Sequence, residues 1–165
     1  MSAARALLAL ALAAGCGAEE SEPSEEPARG AGLEADPFVP MSEAELDARI
    51  AEARREAGAS GRRVLLELVA DWCGDCREVV RLSREEPARG VIEAGYVVVY
   101  VEVGRFDRHR ALLREHEVDR IATLIVLDPA SGRRLARTTL EPITGPQRGL
   151  TSAALAAWLR DPPPG

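Results

Sequence analysis

Apolar residues recur along this chain in two periods, and the changes between them mark out its elements. Val64 to Ala70 and Tyr96 to Val103 are near-continuous apolar runs, as strands buried on both faces are. Between them Val79, Val80 and Leu82 keep a helical period from Gly74 to about Ser83. Pro87 interrupts the pattern, and a short helix is expected from Ala88 to Ala94. A helix between two such strands implies a right-handed crossover and a parallel pair. Val118 to Leu127 is the third core strand with its approach, Asp128 to Gly132 turns the chain, and Arg134 to Thr139 returns as a hairpin. Upstream, Ser42-Glu43-Ala44-Glu45 reads as a capping box that opens a helix. Leu46, Ile50 and Ala53 form its apolar stripe and Gly58 is its expected end. Gly104 to Asp107 reads as a turn, with Asp107 as N-cap of a helix from about Arg108 to Glu117. Its place after a parallel strand would also let Arg105 and Phe106 border a site at that sheet edge. Glu141 to Gly149 is expected to be a loop. Thr151 or Ser152 then caps a last helix that buries Leu155, Trp158 and Leu159 and stops before Pro162.

The first 15 residues break this pattern. They carry one charge, Arg5, followed by the apolar run Ala6 to Ala14, which is too short to span a bilayer and fits the apolar region of a signal peptide. The run ends in Leu12-Ala13-Ala14-Gly15-Cys16, which resembles a bacterial lipobox, although Leu12 lies four rather than three positions before the cysteine. That resemblance implies a lipidated Cys16 as the mature N-terminus. The competing reading is ordinary cleavage near Ala14, leaving a free cysteine. Gly17 to Pro37 holds Glu19, Glu20, Glu22, Glu25, Glu26, Glu34 and Asp36 among Pro, Ser, Ala and Gly, a composition that cannot bury enough apolar surface to order itself. The expected division is therefore a signal peptide over 1–15, an acidic disordered tether over 16–39 and a folded domain over 40–162. Export follows from a processed signal, and the chain is expected to face the periplasm as an envelope lipoprotein. The net charge of −6 gives no nucleic-acid footprint, and no glycine-rich phosphate loop is present.

Chemistry concentrates in Asp71-Trp72-Cys73-Gly74-Asp75-Cys76-Arg77, where the first strand hands over to a helix. Free N–H groups and the positive end of the helix dipole stabilise a thiolate at Cys73. The spacing lets Cys76 reach back and close a disulfide. Asp75 adds negative charge and works against the dipole. Together Cys73, Cys76, His109 and His116 have the ligand types of a zinc site. The seven-residue spacing of the histidines, however, sets them two turns apart, and they are expected to be solvated. No metal and no cofactor is expected.

The run Ala70-Asp71-Trp72-Cys73-Gly74-Asp75-Cys76, with its buried strand, following helix and Val-rich strand, resembles the thioredoxin-like family. It is similar in particular to periplasmic thioredoxin-like domains such as the C-terminal domain of the transmembrane disulfide-interchange reductase. The resemblance covers roughly Arg62 to Arg160. It implies an α/β fold, a thioredoxin-like α/β/α sandwich with a central mixed sheet in which the parallel pair comes first and the hairpin last. It implies thiol–disulfide oxidoreduction on exported proteins, fed by an upstream thiol–disulfide reductase, from a monomer held to the membrane at Cys16. Cys73 would attack and Cys76 resolve. Glu67 occupies the place of the family's buried aspartate and would move a proton to or from Cys76; on a solvent-facing side it would have no such role. Trp72, Gly74, Asp75, Ile121 and Ala122 would border the pair. Ala122 is a departure, because the family has a cis-proline before the Thr of this strand. The Ile121–Ala122 bond is therefore expected to be trans, opening the approach to the sulfurs. That departure favours an alternative function, a binding or metal-holding module with little redox turnover.

Overall fold

The computed structural model describes residues 32–144 and 149–164. The signal peptide, Cys16 and the tether up to residue 31 lie outside the described residues, as does the centre of the loop expected over 141–149. The elements run α1 Glu43–Ser60, β1 Arg63–Val69, α2 Gly74–Ser83, α3 Ala88–Gly95, β2 Tyr96–Glu102, α4 Arg110–Glu115, β3 Thr123–Leu127, β4 Arg134–Thr139, α5 Leu140–Thr144 and α6 Ser152–Arg160. The sheet order is β2-β1-β3-β4. β1 and β2 are parallel, and β3 is antiparallel to both β1 and β4, as the strand–helix–strand and hairpin patterns require.

β1 lies inside the sheet, and its residues from Val64 to Val69 are all buried, which explains why its sequence does not alternate. Leu66 faces a layer that includes α1 and α4, where it lines one cavity with Leu46, Ile50 and Leu112. The next residue, Glu67, faces the opposite layer and meets Ser83 of α2. α2, α3 and α6 build that second layer. Ser152 fastens it, accepting the Ala88 N–H at 3.0 Å and donating to the Glu85 carbonyl at 2.8 Å.

Several boundaries differ from the sequence reading. α1 passes through Gly58 and ends at Gly61, whose φ of 70° is left-handed and whose N–H bonds the Ala57 carbonyl. Residues 32–39, assigned above to the tether, lie on the domain. Gly32 donates to the Val98 carbonyl of edge strand β2 at 3.1 Å, and Leu33 joins the core. The expected loop after β4 begins with helix α5. α4 starts only at Arg110, because the Asp107 carboxylate turns back to the Arg105 N–H at 2.8 Å and His109 sits at φ 52°, outside the helical region. Neither histidine is solvated. His109 is buried; the Glu43 carboxylate at the start of α1 accepts its backbone N–H at 2.9 Å and lies 3.5 Å from its ring nitrogen. His116 is buried at the end of α4, and burial lowers its pKa.

The two glycines of α1 give opposite predictions. Gly58 is helical and exposed, and a Cβ there would meet only the Pro129 Cβ at 4.0 Å, so Gly58→Ala should stabilise by about 0.5–1 kcal/mol. Gly61→Ala forces alanine into a left-handed conformation and should destabilise by about 1–2 kcal/mol. Urea midpoints of the two variants should move in opposite directions.

Candidate functional site

β1 ends at Val69 and the chain turns through Ala70, Asp71 and Trp72 before α2 begins. The Cys73 N–H donates to the Ala70 carbonyl at 3.1 Å, and Arg77 reaches back to the Asp71 carbonyl. These two bonds fix the turn from both ends. Cys73 is the N-cap of α2, in extended conformation, and its sulfur accepts the Cys76 N–H at 3.1 Å. The sulfur thus occupies the place of a capping oxygen and takes one of the unpaired donors of the first helical turn. Cys73 and Cys76 form a disulfide with a Cα–Cα distance of 5.3 Å. Cys73 is 6% exposed and Cys76 fully buried, so an approaching group meets Cys73 first.

On the strand that leads to the pair, Glu67 is 1% exposed between Tyr100 of β2 and Leu124 of β3. The Ser83 hydroxyl donates to one carboxyl oxygen at 3.1 Å, and the other has no partner. Burial disfavours the carboxylate and pushes the Glu67 pKa up to about 7; the Ser83 bond and the charge of Arg84 pull it partly back.

The rim is built from separate stretches. Trp72 is 46% exposed; its indole N–H donates to the Gly104 carbonyl at 2.8 Å and its ring lies 6.5 Å from that of Phe106. Phe106 therefore borders the site, and the Gly104–Asp107 stretch is not a plain turn. Gly74 and Asp75 are exposed at the helix start. The register pair Leu68–Thr123 brings Ala122 to the edge where β1 ends. Ala122 is buried and Ile121 half-buried. The expectation of a trans bond is corrected: Ile121–Ala122 is cis, in a turn where the Thr123 hydroxyl donates to the Arg120 carbonyl at 2.8 Å. His109 and His116 lie in the layer opposite Glu67, and no cluster of three or more metal-ligating side chains occurs among the described residues.

Three residues beside Glu67 escaped the sequence reading. Ser83 follows Cys76 by two helical turns, so the helical period could have placed it on the buried face. Tyr100 depended on the strand register, and Arg84 gave no signal.

Solved structures share this fold. The disulphide isomerase from Xylella fastidiosa Temecula1 superposes with a TM-score of 0.62 at 21% identity, over 74% of this chain and 95% of that one. The C-terminal domain of DsbD from Neisseria meningitidis matches in its oxidised form with a TM-score of 0.55 at 19% identity, over 74% and 97%. Its reduced form gives 0.54 at 20% identity, over the same shares. The fold is thioredoxin-like. No family model matches the chain, and no curated protein does.

The raised pKa of Glu67 makes a stability prediction. The folded state keeps a proton on Glu67 that the unfolded chain loses above its ordinary value of 4.5. Stability contributed by this group is therefore intact below pH 4.5 and falls as pH rises toward 7. The loss by pH 8 should be about 3 kcal/mol. Glu67→Gln should remove that component, and denaturant midpoints of the two oxidised proteins should diverge between pH 4.5 and 7.

Proposed function

We propose that the chain is a thiol–disulfide oxidoreductase that reduces, or carries electrons to, disulfides of exported proteins. The observation that carries this reading is the Cys73–Cys76 disulfide at the start of α2, with its outer sulfur at the N-cap and a protonatable carboxyl buried on the strand that leads into it. In the reduced protein the helix N-terminus favours the Cys73 thiolate. That thiolate attacks one sulfur of a substrate disulfide, forming a Cys73–substrate bond, and the displaced substrate sulfur leaves as a thiolate and takes up a proton. Cys76 then gives its proton to ionised Glu67 and attacks the Cys73 sulfur. The second substrate thiol leaves, the substrate has gained two electrons and the Cys73–Cys76 disulfide has re-formed. An upstream thiol–disulfide reductase returns the two electrons.

The same reading includes export and a lipid anchor at Cys16, supported by the short apolar run before it and the acidic segment after it. Intact mass of the membrane fraction should show diacylglycerol and acyl additions on a chain beginning at Cys16, and Cys16→Ala should release soluble protein. A mature form that starts elsewhere would refute the anchor without touching the chemistry.

The chemistry is tested by trapping. Cys76→Ser should accumulate mixed disulfides with exported proteins, because the first attack proceeds and resolution cannot; Cys73→Ser should accumulate none. Insulin reduction by the wild type should rise with pH through about 7, where Glu67 ionises, and Glu67→Gln should flatten that limb. Trapping by Cys73→Ser in place of Cys76→Ser would reverse the roles.

A further inference from the structure

The segment before α1 is tied to groups around Glu67. Arg84, half-buried just past the end of α2, donates from Nε to the Leu33 carbonyl at 3.0 Å and from Nη2 to the Ala35 carbonyl at 2.7 Å. Its guanidinium lies 6.0 Å from the centre of the Tyr100 ring, and the Tyr100 hydroxyl donates to the same Leu33 carbonyl at 3.0 Å. The Gly32 bond to β2 and the buried Leu33 side chain complete the attachment. The residues that hold the segment are also neighbours of Glu67. Tyr100 is its register partner, and Ser83, adjacent to Arg84 in the chain, is its hydrogen-bond donor.

We propose that segment 32–35 belongs to the redox site: by clamping Arg84 it fixes a positive charge beside Tyr100, the register partner of Glu67, and Arg84 is a positioning residue for the proton relay. The proposal rests on the relay role given to Glu67 above. The groups around Glu67 are few. Ser83 closes α2, where Cys76 is also buried, Arg84 follows it as the C-cap, and Tyr100 comes from β2; the β3 partner Leu124 is apolar. On the segment itself Glu34 is exposed and lies 3.5 Å from Arg89. Arg84 is thus the one cation acting on Glu67 among these groups, and its charge opposes the effect of burial. An arginine that bonds two backbone carbonyls keeps its full charge, since neither partner neutralises it. Its position, and so its field at Glu67, depends on the segment staying in place.

Carboxyl-carbon NMR titration of Glu67 in the full oxidised chain tests this without recourse to activity. Arg84→Gln should raise the Glu67 pKa by about half a unit or more. Gly32→Pro removes the donor to Val98, and proline cannot adopt the φ of +107° found there, so the segment should detach. It should give a smaller shift in the same direction. An unchanged titration in either variant overturns the proposal. A downward shift also overturns it, because water reaching Glu67 would then outweigh the loss of charge. If both titrations rise but Glu67→Gln keeps the wild-type rate of resolution, the relay reading fails while the coupling of segment 32–35 to Glu67 stands.

Discussion

The site depends on one unfavourable interaction, the removal of the Glu67 carboxyl from water. Inside the sheet, ionisation leaves a charge that only one hydroxyl and one partly buried arginine can compensate. The group meets this by holding its proton to about pH 7. A protonated carboxyl has a donor and remaining acceptor capacity, so Ser83 and one unpaired oxygen suffice for it where they would not suffice for an anion. The apolar strand around Glu67 therefore sets its protonation as well as the packing of the sheet.

The cysteines stand in the opposite relation to their surroundings. The N-cap position offers unpaired N–H groups and a positive dipole end, and the Cys73 sulfur uses both. Burial at the end of β1 favours a neutral group and the helix start favours an anion, and one short turn separates the two environments. That turn is held by Cys73 bonding to Ala70 and Arg77 to Asp71. A sulfur at the helix N-cap and a carboxyl that keeps its proton until about neutral pH thus stand on the two elements that this turn joins. Two buried carboxylates, or a thiol and carboxyl both on the strand, would lack that opposition.

How much of this was legible follows from the range of each signal. β1, α2, β2 and the hairpin were readable because their apolar patterns are local and strong. The dithiol was readable because its residues adjoin in sequence. Glu67 drew notice as a lone charge in an apolar run, but only the pairing of β1 with neighbours on both sides establishes its burial. His109 was misread because its surroundings include α1, whose Glu43 accepts its backbone N–H from 66 residues earlier in the chain. The end of α1 was misplaced because Gly58 and Gly61 look alike in sequence, and only backbone conformation separates a helical glycine from a terminating one. Segment 32–39 was assigned by its acidic composition, whereas its attachment runs through backbone groups and Leu33, to which composition is nearly blind.

The rim carries the same lesson into the working surface. Trp72 leaves nearly half of its surface in water, yet its indole is fixed by the carbonyl of Gly104 from another strand end. That carbonyl is aimed by a left-handed residue, with φ of 59°. A Cβ at position 104 would stand 2.3 Å from the Asp107 carboxylate, which itself holds the loop through the Arg105 N–H. Glycine is therefore demanded twice, by conformation and by space. Phe106, also left-handed, presents its ring to Trp72 from the same loop. The aromatic ledge beside Cys73 is thus assembled from two βα turns at one sheet edge, and its shape depends on a glycine with no side chain to offer a partner.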